Sequence, residues 1–309
     1  MCNSGNFIYL CTVNLREFGD NRRAESLHYI AEIISRFDPV AVQEVSANLK
    51  GLEKLMSLLS LNRDCIVTDS TEGSAGGGER TAFLYGRSKI AFKKLAGEIV
   101  LPKEKLIGGE LQFARTPFCV AFQAGWFKFN LTTVHIYYGS SSGVDERRLS
   151  EIEAIAAFLS KRAKQENTSY ILPGDFNIGN VGGAAMQALE RKGFTIPDSI
   201  RRHPSDLGGT KHYDRIAFNL KLDAAMTVFS ETEQKSGAFN YTESICTPQD
   251  LEVYRPYFPE RNTQGKTEKE VEKYWLSTWR TFQISDHLPL WVELKIDFSN
   301  RYLERMREN

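Results

Sequence analysis

The sequence predicts an α/β protein built from mixed β-sheets with helices on the outside. Two patterns and a composition carry that expectation. Short apolar runs of strand length alternate with stretches of helical periodicity. Several neighbouring strands are separated by no more than a turn, which a purely parallel sheet does not allow. The 309 residues are 41% apolar and 25% charged, ordinary for a globular chain, and enough to build a core without disulfides or a structural metal.

The elements follow in order. Residues 7–13 (FIYLCTV) read as a buried strand. Residues 22–37 read as an amphipathic helix, with Leu27, Ile30, Ile34 and Phe37 on one face. Asp38-Pro39 ends it, because the residue before a proline is pushed out of the helical region. Residues 40–45 are a short apolar strand closing on Glu44. Leu49, Leu52, Leu55, Met56 and Leu59 make a second helical stripe, more simply a core face than a binding surface. Residues 71–78 (TEGSAGGG) are a loop by composition, leading into a strand at 81–85. Residues 117–122 and 126–134 pair as strands around a turn at 123–125. Leu149, Ile152, Ile155, Ala156 and Leu159 mark a helix after a Gly/Ser-rich loop at 139–143. Strands are expected at 170–173, 215–218, 225–229 and 288–294.

A single domain spans residues 1–298, and a polar tail, 299–309, forms a peripheral helix or frayed end. Residues 231–281, rich in Glu, Lys, Thr and Tyr, read as an insertion within that domain, helical around 267–275. Lys+Arg and Asp+Glu both number 39, so the chain is formally neutral. Neutrality argues against sequence-blind coating of long phosphate backbones but leaves room for a locally basic cleft. The five cysteines, Cys2, Cys11, Cys65, Cys119 and Cys246, include no C-x-x-C pair and read as buried free thiols. With no basic, apolar leader in residues 1–7 and no apolar run near 20 residues, a cytoplasmic chain without a membrane span is expected.

Polar residues gather at strand ends: Asn14, Glu44, Glu79, His135, Asp175 with Asn177, Asp214, and Asp286-His287. Singly they say little. An Asn after a strand is usually a turn residue, a Glu there suits a helix N-terminus, and Asp286-His287 suits a cap. As a set, several carboxylates and two histidines suit binding of a hard cation together with acid–base chemistry. In α/β architectures such groups converge on one cleft.

Those residues sit in segments that resemble the endonuclease/exonuclease/phosphatase superfamily, its deoxyribonuclease I-like branch in particular. The segments are Thr12-Val13-Asn14, Val42-Gln43-Glu44-Val45, Glu79-Arg80-Thr81, Ala114-Arg115-Thr116-Pro117, Val134-His135, Gly174-Asp175-Phe176-Asn177, Tyr213-Asp214-Arg215-Ile216 and Ser285-Asp286-His287-Leu288-Pro289, in that order. The resemblance implies a four-layer sandwich of two mostly antiparallel sheets flanked by helices. It implies Glu44 as principal metal ligand with Asn14 and Asp286 close by, and Mg²⁺, or Mn²⁺ in its place, as the ion. Asp175 would position or deprotonate the attacking water, Asn177 would orient water and phosphate, and Arg115 would contact phosphate. His287 would pair with Asp214, and His135 with Glu79.

The chemistry agrees. A phosphodiester repels hydroxide until its charge is neutralised, and a histidine held by a carboxylate has a fixed tautomer and a raised pKa. The expected function is a metal-dependent nuclease acting on nucleic acid, DNA favoured over RNA. The alternative is the same mechanism on a phospholipid, phosphoinositide or other small phosphoester. Neither a membrane nor an obligate protein partner is called for. The insertion departs from the branch, and its Tyr254, Tyr257, Tyr274, Trp275 and Trp279 either stack on bases or pack against the core.

Overall fold

The computed structural model describes residues 5–71, 75–139, 145–221, 224, 228–229 and 235–308. Among these, eleven strands form two sheets. The first holds β1 (Phe7–Phe18), β2 (Pro39–Val45), β3 (Arg63–Val67) and β4 (Arg80–Gly86). The second holds β5 (Ala91–Glu98), β6 (Phe118–Ala124), β7 (Phe127–His135), β8 (Ser169–Asp175) and β9 (Asp214–Asn219). The chain then returns to the first sheet with β10 (Ser236–Ala238) and β11 (Leu290–Lys295), giving the order β10-β11-β1-β2-β4-β3 beside β5-β6-β7-β8-β9.

Each sheet is antiparallel except for one pair, β1/β2 in the first and β7/β8 in the second. Parallel neighbours need a crossover long enough to hold a helix. α1 (Ala24–Ser35) supplies it between β1 and β2, α2 (Lys50–Leu58) follows β2, and α3 (Glu146–Glu166) crosses between β7 and β8. α4 (Ala184–Arg191) and the single turn α5 (Asp198–Arg201) come between β8 and β9.

Strand alternation sorts the side chains into layers. In the first sheet Leu10, Ala41 and Phe83 join the core shared with the second sheet, while Cys11, Val40, Val42 and Leu84 face Leu27, Ile30 and Ile34 of α1 and Leu52 and Leu55 of α2. Between the sheets Phe83 stacks on Phe118 with ring centroids 5.9 Å apart and meets Phe122 edge-on at 6.0 Å. Ile152, Ile155 and Leu159 of α3 and Met186 and Leu189 of α4 extend that same core. The result is the four-layer α/β sandwich the sequence implies.

β1 continues five residues past the expected end. The β6–β7 turn is Gly125-Trp126, tighter than expected, since Ala124 pairs with Phe127. Sequence periodicity missed β3, the mostly exposed edge strand β5, and α4. The strand expected at 225–229 falls largely outside the described residues; Val228 and Phe229 belong to no strand. Parts of both glycine-rich loops, 72–74 and 140–143, also lie outside them. Cys11 and Cys246 are buried free thiols, but Cys65 and Cys119 are only half-buried. No helix among the described residues is long and apolar enough to cross a membrane.

The described part of the insertion is a string of short helical turns. Its longest helix, Glu268–Tyr274, is opened by a capping box at Thr267 and Glu270 and runs into a π-helical turn, Trp275–Trp279. Tyr254, Phe258, Trp275 and Trp279 are buried and stack on one another, with Tyr254 and Trp275 centroids 5.0 Å apart. These rings join the cluster that covers α1 and α2. They pack against the core rather than waiting for bases.

Candidate active site

The strand pairing explains why the polar residues meet. β1 and β2 are parallel, so Asn14 and Glu44 leave the sheet at the same edge. β7 and β8 are parallel and in register, with His135 opposite Asp175. β9 runs antiparallel to β8, which sets its first residue, Asp214, opposite Asp175. β4 runs antiparallel to β2, bringing Glu79 up beside Glu44. β11 pairs antiparallel with β1, Leu290 opposite Thr12, so Asp286 and His287 arrive next to Asn14.

The backbone is unusual where the residues are delivered. Arg16, Glu17, Glu44 and Asn177 all have positive φ, a region L-residues enter at a cost of about 1–3 kcal/mol. The β1–β2 register shifts between Asn14 and Phe18, and the β2–β4 register between Val42 and Val45. These bulges turn the strand ends and aim Glu44 out of the pleat. Gly174 does the opposite job. A Cβ there would lie 2.2 Å from the Val134 carbonyl oxygen, so only glycine lets β8 press against β7 just before Asp175.

At the centre lies Asp175. Its Oδ1 accepts the Asn177 backbone N–H at 2.8 Å and its Oδ2 accepts from Asn14 Nδ2 at 3.2 Å. His135 Nε2 is 3.5 Å from Asp175 Oδ2, and His287 Nε2 is 3.9 Å from the same oxygen. Behind each ring stands a carboxylate: Glu79 Oε1 at 2.6 Å from His135 Nδ1, Asp214 Oδ2 at 2.7 Å from His287 Nδ1. Glu44 sits at the side, its Oε1 accepting from Asn14 Nδ2 at 2.7 Å and its Oε2 accepting the Glu17 backbone N–H at 2.7 Å. His135 Nε2 is 3.9 Å from Glu44 Oε1.

Burial and charge oppose each other here. Burial alone pulls both histidines down. For His287 the carboxylates of Asp214, Asp175 and Asp286 outweigh it and push the ring up to about 10. For His135, Glu79 and Asp175 win against burial and the Arg115 charge, and its pKa is raised. Burial drives Asp175 up, but the two rings, the Asn177 N–H and Asn14 bring it below its usual value. Burial also raises Asp214; with the His287 ring at hydrogen-bond distance and Asp175 beyond it, the shared proton rests on the ring. Both rings are thus pushed toward the imidazolium form and Asp175 toward the carboxylate.

The remaining expected residues are placed less centrally. Asn177 Nδ2 donates to the Ile136 carbonyl at 2.8 Å, tying the turn after β8 to the end of β7. Arg115 Nε is bonded to Glu79 Oε1, so Arg115 and His135 share one carboxylate oxygen. Asp286 is 43% exposed at the rim, with its Oδ2 3.3 Å from Arg16 Nη1.

Four further residues escaped sequence reasoning. Arg16 pairs with Asp286 and lies 4.0 Å over the Phe282 ring. Ser285 Oγ donates to the Asn14 carbonyl at 2.5 Å and accepts the His287 N–H at 2.9 Å, and Ser205 Oγ accepts the Asp214 N–H at 2.9 Å. Tyr213 lies 5.4 Å from the His287 ring. Only Ser285 and Tyr213 carried a signal, through the Ser-Asp-His and Tyr-Asp segments.

Two hollows open beside Tyr213. One, of about 410 Å³, reaches Tyr138, Asn177 and Lys211. The other, of about 830 Å³, lies between the turn at 206–208 and the insertion helix, with Asp286 at its inner end.

No known family profile matches this sequence. No curated protein matches it either. Solved structures do. A mannosyl-6-phosphatase from Bacteroides thetaiotaomicron superposes with a TM-score of 0.59 at 17% identity, over 93% of this chain and 99% of that one. An endonuclease/exonuclease/phosphatase family protein from Leptotrichia buccalis gives 0.56 at 17%, over 93% and 99%. The catalytic domain of human Nocturnin with bound sulfate gives 0.57 at 13%, over 94% and 93%. Over 93–94% of its length, this chain has the endonuclease/exonuclease/phosphatase fold.

Proposed function

We propose that this chain is a divalent-metal-dependent phosphoester hydrolase and that its substrate is nucleic acid, DNA before RNA. One observation carries the chemistry. Two histidines, each backed by a carboxylate at 2.6–2.7 Å, turn their Nε2 atoms toward the same Asp175 carboxyl group. That is a cradle of positive charge around a water-orienting base, suited to an anionic phosphorus centre.

The residues fit a hard cation. Glu44, Glu79 and His135 each offer a ligand atom, all within 4.8 Å of one another. The Glu79 oxygen, though, is shared by His135 and Arg115, which leaves Glu44 as the carboxylate open to an ion. One available carboxylate and an amide suit Mg²⁺ or Mn²⁺, which keep most of their waters; zinc favours more histidine or cysteine. Glu44 would hold the ion with Asn14 and Asp286 beside it. Bound there, it would neutralise the phosphate and polarise the P–O bond.

The chain's own groups do the rest. Asp175 orients a water for in-line attack and takes its proton as the new O–P bond forms. Asn177 fixes Asp175 through its N–H. His287 gives its Nε2 proton to the departing oxygen as the old P–O bond breaks, and Asp214 keeps that ring charged and oriented until then. His135, held by Glu79, balances charge on a non-bridging phosphate oxygen. The two hollows flanking Tyr213 suit a substrate that extends past the scissile phosphate on both sides.

The test is direct. Purified protein is incubated with single-stranded DNA, duplex DNA, RNA and bis-nitrophenyl phosphate, with and without EDTA. Nucleic acid cleavage abolished by EDTA and restored by Mg²⁺ supports the proposal; turnover indifferent to EDTA refutes the metal. A second reading, the same chemistry on a phospholipid, phosphoinositide or other small phosphoester, is favoured by the likeness to a mannosyl-6-phosphatase. Ester turnover without any nucleic acid cleavage would select it.

A further inference from the structure

The larger hollow is walled by the insertion. Its inner end touches the reaction site through Asp286 and Tyr213, and Tyr213 in turn flanks His287. One wall is the turn carrying Asp206 and Leu207. The other is the face of the Glu268–Tyr274 helix and π-turn that presents Lys269, Lys273 and Leu276. Trp275 and Trp279, on the opposite face of that turn, are buried in the core, so the wall is anchored.

Four carboxylates, Asp206, Glu270, Glu272 and Asp286, and two ammonium groups, Lys269 and Lys273, line the hollow, and all the carboxylates except Glu272 are already engaged. Asp206 Oδ1 is taken by the backbone N–H groups of Thr210 at 2.8 Å and Lys211 at 2.6 Å. Glu270 Oε2 is taken by Thr267 in the capping box, and Asp286 by Arg16. Lys269 and Lys273 lie one helical turn apart on the rim, are exposed, and make no ion pair among the described residues; Glu272 shares the rim with them. Leu207, Leu276 and Tyr213 give the same hollow an apolar lining, the two leucines being half-buried against the core.

We infer that the insertion is the specificity element of this enzyme: its trench takes the unpaired nucleotide next to the scissile phosphate. The base lies against Leu207, Leu276 and Tyr213, and the following phosphate meets Lys269 and Lys273. A base can offer a bare face to such a wall only when it is out of a duplex stack. The trench therefore selects single-stranded or frayed nucleic acid. This rests on the nucleic acid reading of the same site.

The experiment compares wild type with Lys269→Glu/Lys273→Glu and with Leu276→Ser. Lys269 and Lys273 are exposed, so the charge reversal leaves the core untouched; Leu276 is half-buried and also packs on the core, so its variant is read together with its circular dichroism and urea midpoint. Wild type cleaves a single strand at least ~10-fold faster than the blunt duplex, since the base must be unstacked first. In each variant the ratio of kcat/KM on the oligonucleotide to kcat/KM on bis-nitrophenyl phosphate falls at least ~10-fold, the size expected for one lost stacking or phosphate contact. In the charge-reversed variant the log–log salt slope of KM also flattens by roughly 0.7, the value for one phosphate contact on a single strand. If wild type cleaves oligonucleotides and both ratio and slope survive the substitutions, the trench is not a subsite. If duplex and single strand are cut equally fast, the base does not enter it. If wild type turns over the ester and no nucleic acid, the substrate class itself has failed, and the inference with it.

Discussion

The two parallel strand pairs are built alike and finish differently. In the first sheet β1 and β2, bridged by α1, deliver Asn14 and Glu44; in the second β7 and β8, bridged by α3, deliver His135 and Asp175. The second pair stays in register to its last residues, and both side chains are buried, Asp175 to 2% exposure. The first pair breaks register between Asn14 and Phe18, with a second shift where β2 meets β4, takes left-handed backbone at Arg16, Glu17 and Glu44, and leaves Glu44 21% exposed. On the proposed reading the contrast separates two duties. Proton-moving groups sit where low dielectric makes charge pairs strong. A ligand for a hydrated cation must keep contact with water.

The comparison can be broken from the buried side first. Asp175→Ala and His287→Ala should each lose at least ~100-fold in rate, with circular dichroism unchanged. Rates near wild type would remove both residues from the chemistry. Next comes Gly174→Ala, which pushes a methyl group into the Val134 carbonyl. A cost of about 1–3 kcal/mol is expected, as for other overpacked sites, read from the urea midpoint at unchanged m-value. An unmoved midpoint would mean that the register of β7 and β8 does not depend on that close approach.

On the open side, Asn14→Ala removes the amide that holds Glu44 Oε1. The Mg²⁺ concentration for half-maximal rate should rise by roughly 10-fold, the lower end of the range for lost outer-shell partners. An unchanged activation curve would detach Asn14 from the ion. The smallest effect near neutrality concerns pH. His287, backed by Asp214 and facing Asp175, is pushed up to about 10 when folded, against ~6.5 for a free histidine. The folded chain therefore keeps a proton that the unfolded chain has released. That stabilisation is whole below pH ~6.5 and drains away as pH climbs toward 10. Unfolding curves of His287→Asn should lack this alkaline decline; parallel profiles would place the proton elsewhere.

Most of this was legible in the sequence because strand ends are where chemistry is visible. Glu44, His135 and Asp175 each close an apolar run, and the parallel crossovers at α1 and α3 follow from periodicity. β5 was not legible, since seven of its eight residues are exposed and no alternation survives. Nor was the bond from Arg115 to Glu79, or from Ser205 to Asp214, because these join segments that only tertiary pairing brings together. Left-handed backbone at Glu44 was equally hidden: nothing in Gln43-Glu44-Val45 announces a positive φ. The aromatic content of the insertion was visible, but whether its rings faced core or solvent could be read only from the packing of Tyr254, Phe258, Trp275 and Trp279.

The π-turn at Trp275–Trp279 gives the insertion one place that can absorb a length change. Such a turn holds about one residue more than an α-helical turn. Deleting Ser277 would let the helix close at its normal pitch with the residues on either side still in phase, so Trp275 and Trp279 could stay in the interior and Lys269 and Lys273 at the trench. The same deletion within the regular helix upstream would instead rotate its two halves by about 100° relative to each other. Loss of one residue is therefore accommodated at the π-turn and nowhere else along this helix.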